Sequence, residues 1–138
     1  MKKIILFFIL SISFTFAQDY QVLLGIENLD EDSFDIRMNN SEVVGGLQIG
    51  FESGINITTV SGGSAAAAGF MSSPAGSYII SFTFSGSTIP VGNEILMNIS
   101  YTGSPPVLDF LPEGAVGCNT CTIISDTDAT SLPTEEYV

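Results

Sequence analysis

Apolar residues recur at every second position in four stretches of the chain. Phe34, Ile36 and Met38 alternate with Asp35 and Arg37, and Leu47, Ile49 and Phe51 alternate with Gln48 and Gly50. Tyr78, Ile80, Phe82 and Phe84 alternate with Ile79, Ser81 and Thr83. Ile95, Met97, Ile99 and Tyr101 alternate with Leu96, Asn98 and Ser100. A period of two is that of a strand with one face on a core and the other turned away from it. Weaker strands are expected over 20–26 and 55–60, and a closing strand over 122–125. No stretch beyond the first 17 residues repeats apolar positions at three and four, so no long amphipathic helix is expected. Residues 65–68 read as one helical turn or as a loop, being too few to hold a helix unaided.

If the first-named members of each alternation lie on the core, the second-named ones face outward. Gln48, Ser81, Thr83, Asn98 and Ser100 are then the candidate partner-facing residues. Between the strands lie turn sequences: Asn39-Asn40-Ser41, Gly62-Gly63-Ser64, Ser73-Pro74-Ala75-Gly76, Ser85-Gly86-Ser87, Pro90-Val91-Gly92-Asn93 and Gly103-Ser104-Pro105-Pro106. Short strands at this spacing predict an all-β fold, an antiparallel two-sheet sandwich or barrel.

The first residues read differently. Lys2 and Lys3 precede an apolar run over 4–16, and Thr15-Phe16-Ala17 offers small residues where a signal peptidase cuts. The run is short for a membrane span, and Gln18 and Asp19 follow at once, so 1–17 is expected to be a cleaved signal peptide. Residues 18–138 then form a single domain, long enough to bury a core. The expected location is outside the cell or on its surface, with no membrane insertion after cleavage.

Charge narrows the partners. The chain has 15 acids, 3 bases and no histidine, and its formal charge of −12 becomes −14 once Lys2 and Lys3 depart. Arg37 would be the only strong base left. Such a surface cannot neutralise phosphates, which excludes nucleic acid and disfavours anionic lipid. It favours solubility, divalent cations and basic partners.

The middle of the chain resembles the cohesin-like β-sandwich modules of secreted bacterial proteins. Residues Val43-Val44-Gly45-Gly46-Leu47-Gln48-Ile49-Gly50-Phe51 are similar to their v-a-G-l-Q-f-x-l strand. Ile89-Pro90-Val91-Gly92-Asn93-Glu94-Ile95-Leu96 is similar to the i-p-x-G-x-g-x-L turn that enters the next strand, and Cys121-Thr122-Ile123-Ile124-Ser125-Asp126 to the closing strand. The resemblance spans most of 20–130. It implies a jelly-roll sandwich, related in architecture to some carbohydrate-binding modules. It also implies a non-catalytic module that presents a sheet face or loops to a protein partner, dockerin-like or another surface protein. A glycan-binding module and a structural surface or matrix domain are the alternative expectations.

Other motifs have plain readings. Cys118-Asn119-Thr120-Cys121 is a C-x-x-C, which in an exported protein forms a disulfide closing a very short loop. A redox role would need a helix after the second cysteine, and Thr122-Ile123-Ile124 reads as strand. Two cysteines without histidine cannot complete a zinc site, so no metal ligands are assigned. Asp30-Glu31-Asp32 with Asp35 is the densest acidic cluster. It reads as a solvated loop and admits a structural Ca²⁺, although glycine is missing where an EF-hand loop needs it. Asp126 and Asp128 form a weaker second cluster. With no histidine and no lysine beyond the leader there is no base for a nucleophilic triad, and no catalytic residue or cofactor is assigned. The chain has no tryptophan, the strongest sugar-stacking residue, which weakens the glycan alternative.

Overall fold

The computed structural model describes residues 20–110 and 119–136. The expected leader and Cys118 lie outside the described residues. Within them, ten strands and one short helix follow in chain order: β1 (Val22–Glu27), β2 (Ser33–Asn40), β3 (Gly46–Phe51), β4 (Ile55–Ser61), α1 (Gly63–Ala67), β5 (Met71–Ala75), β6 (Tyr78–Phe82), β7 (Gly92–Gly103), β8 (Leu108–Asp109), β9 (Ile123–Ser125) and β10 (Thr134–Glu136). They form two five-stranded sheets. One has the order β10-β1-β2-β7-β4; the other runs β5-β6-β3-β8, with β9 also paired to β3. The all-β two-sheet sandwich read from the alternation is therefore the fold. The pairs are antiparallel apart from β1 with β10, which run parallel.

The inner faces meet in one apolar layer. Val22, Leu24, Phe34, Ile36, Met38, Met97, Ile99 and Tyr101 enter it from the first sheet, and Leu47, Ile49, Phe51, Ile79 and Ile124 from the second. Phe34 holds the middle, with its ring edge to face against Phe51 across the sandwich at 5.5 Å and against Tyr101 at 5.4 Å. Such pairs stabilise beyond the area they bury, by about 0.5–1.5 kcal/mol each.

Three strands are missing from the sequence reading, each for a local reason. β5, Met71-Ser-Ser-Pro-Ala, has almost no apolar alternation, and its Pro74 can sit in a strand only because β5 ends its sheet. β8 and β10 are two and three residues long, too short to show a period.

The stretch over 65–68 belongs to a helical turn. Gly62 and Gly63 take positive φ of 64° and 72° to swing the chain from β4 into α1, a conformation that side chains with a Cβ disfavour. Ala65 then buries its methyl in the core.

Two bulges interrupt the strict period, one between β4 and β7 and one between β2 and β7. In the second, Ile36 opposes Met97 while its neighbour Arg37 opposes Ile95, so Leu96 is an extra residue in β7. Leu96 and Met97 are consequently both fully buried, and Ile95 turns toward the outer face. The expectation that Ile95 and Leu96 sit on the core and outer faces respectively is thereby inverted.

Candidate functional site

The registers decide what each sheet shows to solvent, because residues paired across strands share a face. On the first sheet the outward set is mostly polar, with only Leu23 and the bulge-turned Ile95, both half-buried, as large apolar members among the described strand residues. Arg37 donates from Nε to Glu27 Oε2 at 2.8 Å, and Asn28 and Asn98 both donate to the Asp35 carboxylate at 2.7 Å. Asn39 pairs with Asn93, and Ser33 with Ser100.

The outward rows of the second sheet are of another kind. Met71 pairs with Phe82; Ser73 pairs with Ile80, which opposes Gln48; Ala75 pairs with Tyr78, which opposes Gly50. Met71 is 57 % exposed, and Ile80 and Phe82 are each 38 % exposed. Just beyond β6, Phe84 is 82 % exposed and stands edge to face against Phe82 at 5.1 Å, the ring planes 84° apart. Side chains of this size in one continuous patch are unusual on a soluble protein unless something covers them.

The patch has a border. The segment before β9 crosses the outer side of β3 and is fastened there by two side chains. The Gln48 Nε2 amide donates to the carbonyls of Asn119 at 3.2 Å and Cys121 at 2.7 Å. Thr122 Oγ1 accepts from the Gly50 amide at 3.1 Å and donates to the Gly50 carbonyl at 3.2 Å. A Cβ on Gly50 would fall on the Thr120 carbonyl oxygen, so only glycine admits the crossing. Gly50, Cys121 and Thr122 are buried in consequence. The open outer surface is thus confined to β5, β6 and the turn after β6.

The five candidate partner-facing residues are not brought together. Asn98 and Ser100 lie on the first sheet, and Gln48 and Ser81 on the second, with Thr83 just beyond β6. Gln48 faces outward with its amide occupied by the crossing segment. Ser81 is a correction: it is 0 % exposed, on the inner face, with its hydroxyl 2.8 Å from that of Ser72. The phase of β6 is opposite to the expectation. Ile79 and Ser81 point inward, and Tyr78, Ile80 and Phe82 point outward. The alternation over 78–84 has a clear period, but apolar residues occupy both of its phases at Ile79 and Ile80, so the period does not fix the hand. The expectation that Tyr78 faces the core fails with it.

The acidic loop is solvated. Asp30, Glu31 and Asp32 are exposed between β1 and β2, and the loop is held by its backbone: Tyr101 donates its hydroxyl to the Asp30 carbonyl and its amide to that of Asp32, each at 2.9 Å. Asp126 Oδ1 accepts from the amides of Asp128 and Thr130, closing a turn. Among the described residues no three His, Cys, Asp or Glu side chains converge as a metal site would require. A small apolar cleft lies at Phe110, Ile123, Ile124 and Leu132 and has no titratable side chain in its lining; a second, at Met38, Asn40 and Pro90, has Glu94 alone. Neither offers the paired acid and base that hydrolysis needs. Cys121 is buried, and no cysteine is free among the described residues.

No protein-family model matches the chain, and a comparison with curated proteins finds no match. Solved structures do resemble it. A non-cellulosomal cohesin from the hyperthermophilic archaeon Archaeoglobus fulgidus aligns with a TM-score of 0.50 and 16 % identity, over 84 % of this chain and 86 % of that one. A chain from the crystal structure of a complex between a CaDoc0917 variant and CaCohA2 at pH 5.5 aligns with a TM-score of 0.48 and 13 % identity, over 84 % of this chain and 94 % of that one. The chain has the cohesin-like β-sandwich fold.

Proposed function

We propose that this cohesin-like sandwich is a secreted, non-catalytic module that holds a protein partner on the outer face of β5 and β6. One observation carries the reading: the two outer faces differ in kind. The first sheet turns hydrogen-bonded amides, carboxylates and a guanidinium to solvent, while the second turns out Met71, Ile80 and Phe82 beside Phe84. Exposed apolar and aromatic anchors on a rigid sheet are what a protein interface is built around. The leader-like residues 1–17 support export, and the family resemblance supports a dockerin-type or other surface protein as the partner.

The alternatives draw less support. A sugar-binding platform wants coplanar aromatic faces, and the Phe82 and Phe84 rings stand nearly perpendicular. Catalysis lacks the histidine of a nucleophilic triad, and neither described cleft has a pair of carboxylates in its lining.

The test is affinity capture from the producing organism's secreted fraction with the immobilised protein and its Phe82→Ser and Asn39→Ser variants. A protein retained saturably by the wild type and by Asn39→Ser, and lost with Phe82→Ser, supports the reading. A partner indifferent to Phe82, or retention of polysaccharide alone, overturns it.

A further inference from the structure

The chain has 4 methionines and no tryptophan or histidine. Met1 lies in the expected leader, and the fold divides the other three. Met38 and Met97 are in the core, 2 % and 0 % exposed, whereas Met71 is 57 % exposed. The phase of β5 decides this. Phe70, just before the strand, is buried, and the Ser72 hydroxyl meets that of buried Ser81 at 2.8 Å, so Met71 between them turns outward. β5 ends its sheet, with no further strand beyond it. Cys121 is buried, and no cysteine is free among the described residues. Among those residues Met71 therefore carries the one sulfur open to solvent.

That sulfur belongs to the apolar face. Met71 opposes Phe82 in the register of β5 and β6, and Phe82 stands edge to face against Phe84. Side chains paired in this way have their Cβ atoms about 4.5–5.5 Å apart. We infer that Met71 is a modification site, at which hydrogen peroxide converts the thioether to the sulfoxide and so takes the docking face out of use. The inference rests on the docking face proposed above and adds a chemical control of it. A sulfur lone pair attacks one peroxide oxygen. The O–O bond breaks, an S–O bond forms, and the second oxygen leaves as water with both protons. Sulfur is oxidised by two electrons and the peroxide reduced by two, with no other reactant required. The product puts a polar oxygen where the thioether was apolar. A partner that docks through apolar side chains would bury this oxygen without a donor, which opposes docking.

The first arm of the test treats the purified protein with hydrogen peroxide and follows each methionine by peptide mass spectrometry. Met71 should gain an oxygen about tenfold or more faster than Met38 and Met97, which peroxide reaches only when the core opens. In urea the three should react at similar rates. Similar rates in the folded protein, or an unreactive Met71, overturn the inference.

The second arm uses Nile red, an uncharged dye that the acidic chain does not repel and whose emission rises on apolar surface. Emission with the wild type should fall several-fold after oxidation, and Phe82→Ser should show a comparable fall without peroxide. Met71→Leu should give the same emission before and after treatment. A fall on treatment that persists in Met71→Leu overturns the assignment to this sulfur. Emission that Phe82→Ser lowers but full oxidation of Met71 does not overturns the control and leaves the docking face standing. Emission indifferent to both removes the apolar face, and the inference with it.

Discussion

The Gln48 side-chain amide donates to the Cys121 carbonyl at 2.7 Å across 73 positions of sequence. This bond, with its companion to Asn119, fastens the segment before β9 over β3 and sets one edge of the open face. The prediction is that Gln48→Ala lowers stability by about 1–2 kcal/mol, the cost of losing one partly buried and one exposed hydrogen bond. Hydrogen exchange should localise the effect, with faster exchange at Thr122 and little change in β1 and β2. Uniform loss of protection would show instead that Gln48 supports the whole sandwich.

Gly50→Ala tests the same crossing two residues further along β3. The added methyl meets backbone at Thr120 and Cys121, which cannot swing aside as a long side chain can. Overpacking of this kind costs about 1–3 kcal/mol or more. Urea denaturation should give a lower midpoint for Gly50→Ala, and little change for Gly92→Ala, where nothing stands near the added methyl.

The phase of β6 is open to a direct comparison of neighbours. Ile80→Glu should leave the midpoint of thermal unfolding within a few degrees of wild type, because the new carboxylate lies in solvent. Ser81→Glu should unfold the protein or cost more than about 3 kcal/mol, since it buries a charge without a partner. The reverse order would restore the sequence-based phase and remove the apolar face with it.

Mass spectrometry of the secreted protein addresses the leader and the cysteine pair, which the fold leaves aside. Cleavage after Ala17 should leave Gln18 as the first residue. Cys118 and Cys121 should resist alkylation until reduced. Because the loop they would close is so short, reduction should cost less stability than a long-loop disulfide does. An intact leader, or two thiols alkylated without reductant, would contradict these expectations.

The amino-acid sequence determined the class of fold. Alternation at Phe34, Ile36 and Met38, and at Leu47, Ile49 and Phe51, admits one inward phase, because polar or glycine residues fill the other. It also determined that no histidine serves as a base or metal ligand, since the chain contains none. What only the tertiary structure decided was which face of β6 looks out. With Ile79 and Ile80 adjacent, either phase buries an isoleucine, and the choice falls to the space left between the sheets. Serine fits that space at position 81, against Ser72, whereas Phe82 in its place would have to displace the core. The bulge at Leu96 arises in the same way, since no local signal marks it and pairing with β2 places it. The crossing at Gly50 likewise joins residues more than 70 positions apart. Local preference sets the period of a strand, but its hand is set by the volume the opposing sheet leaves to fill.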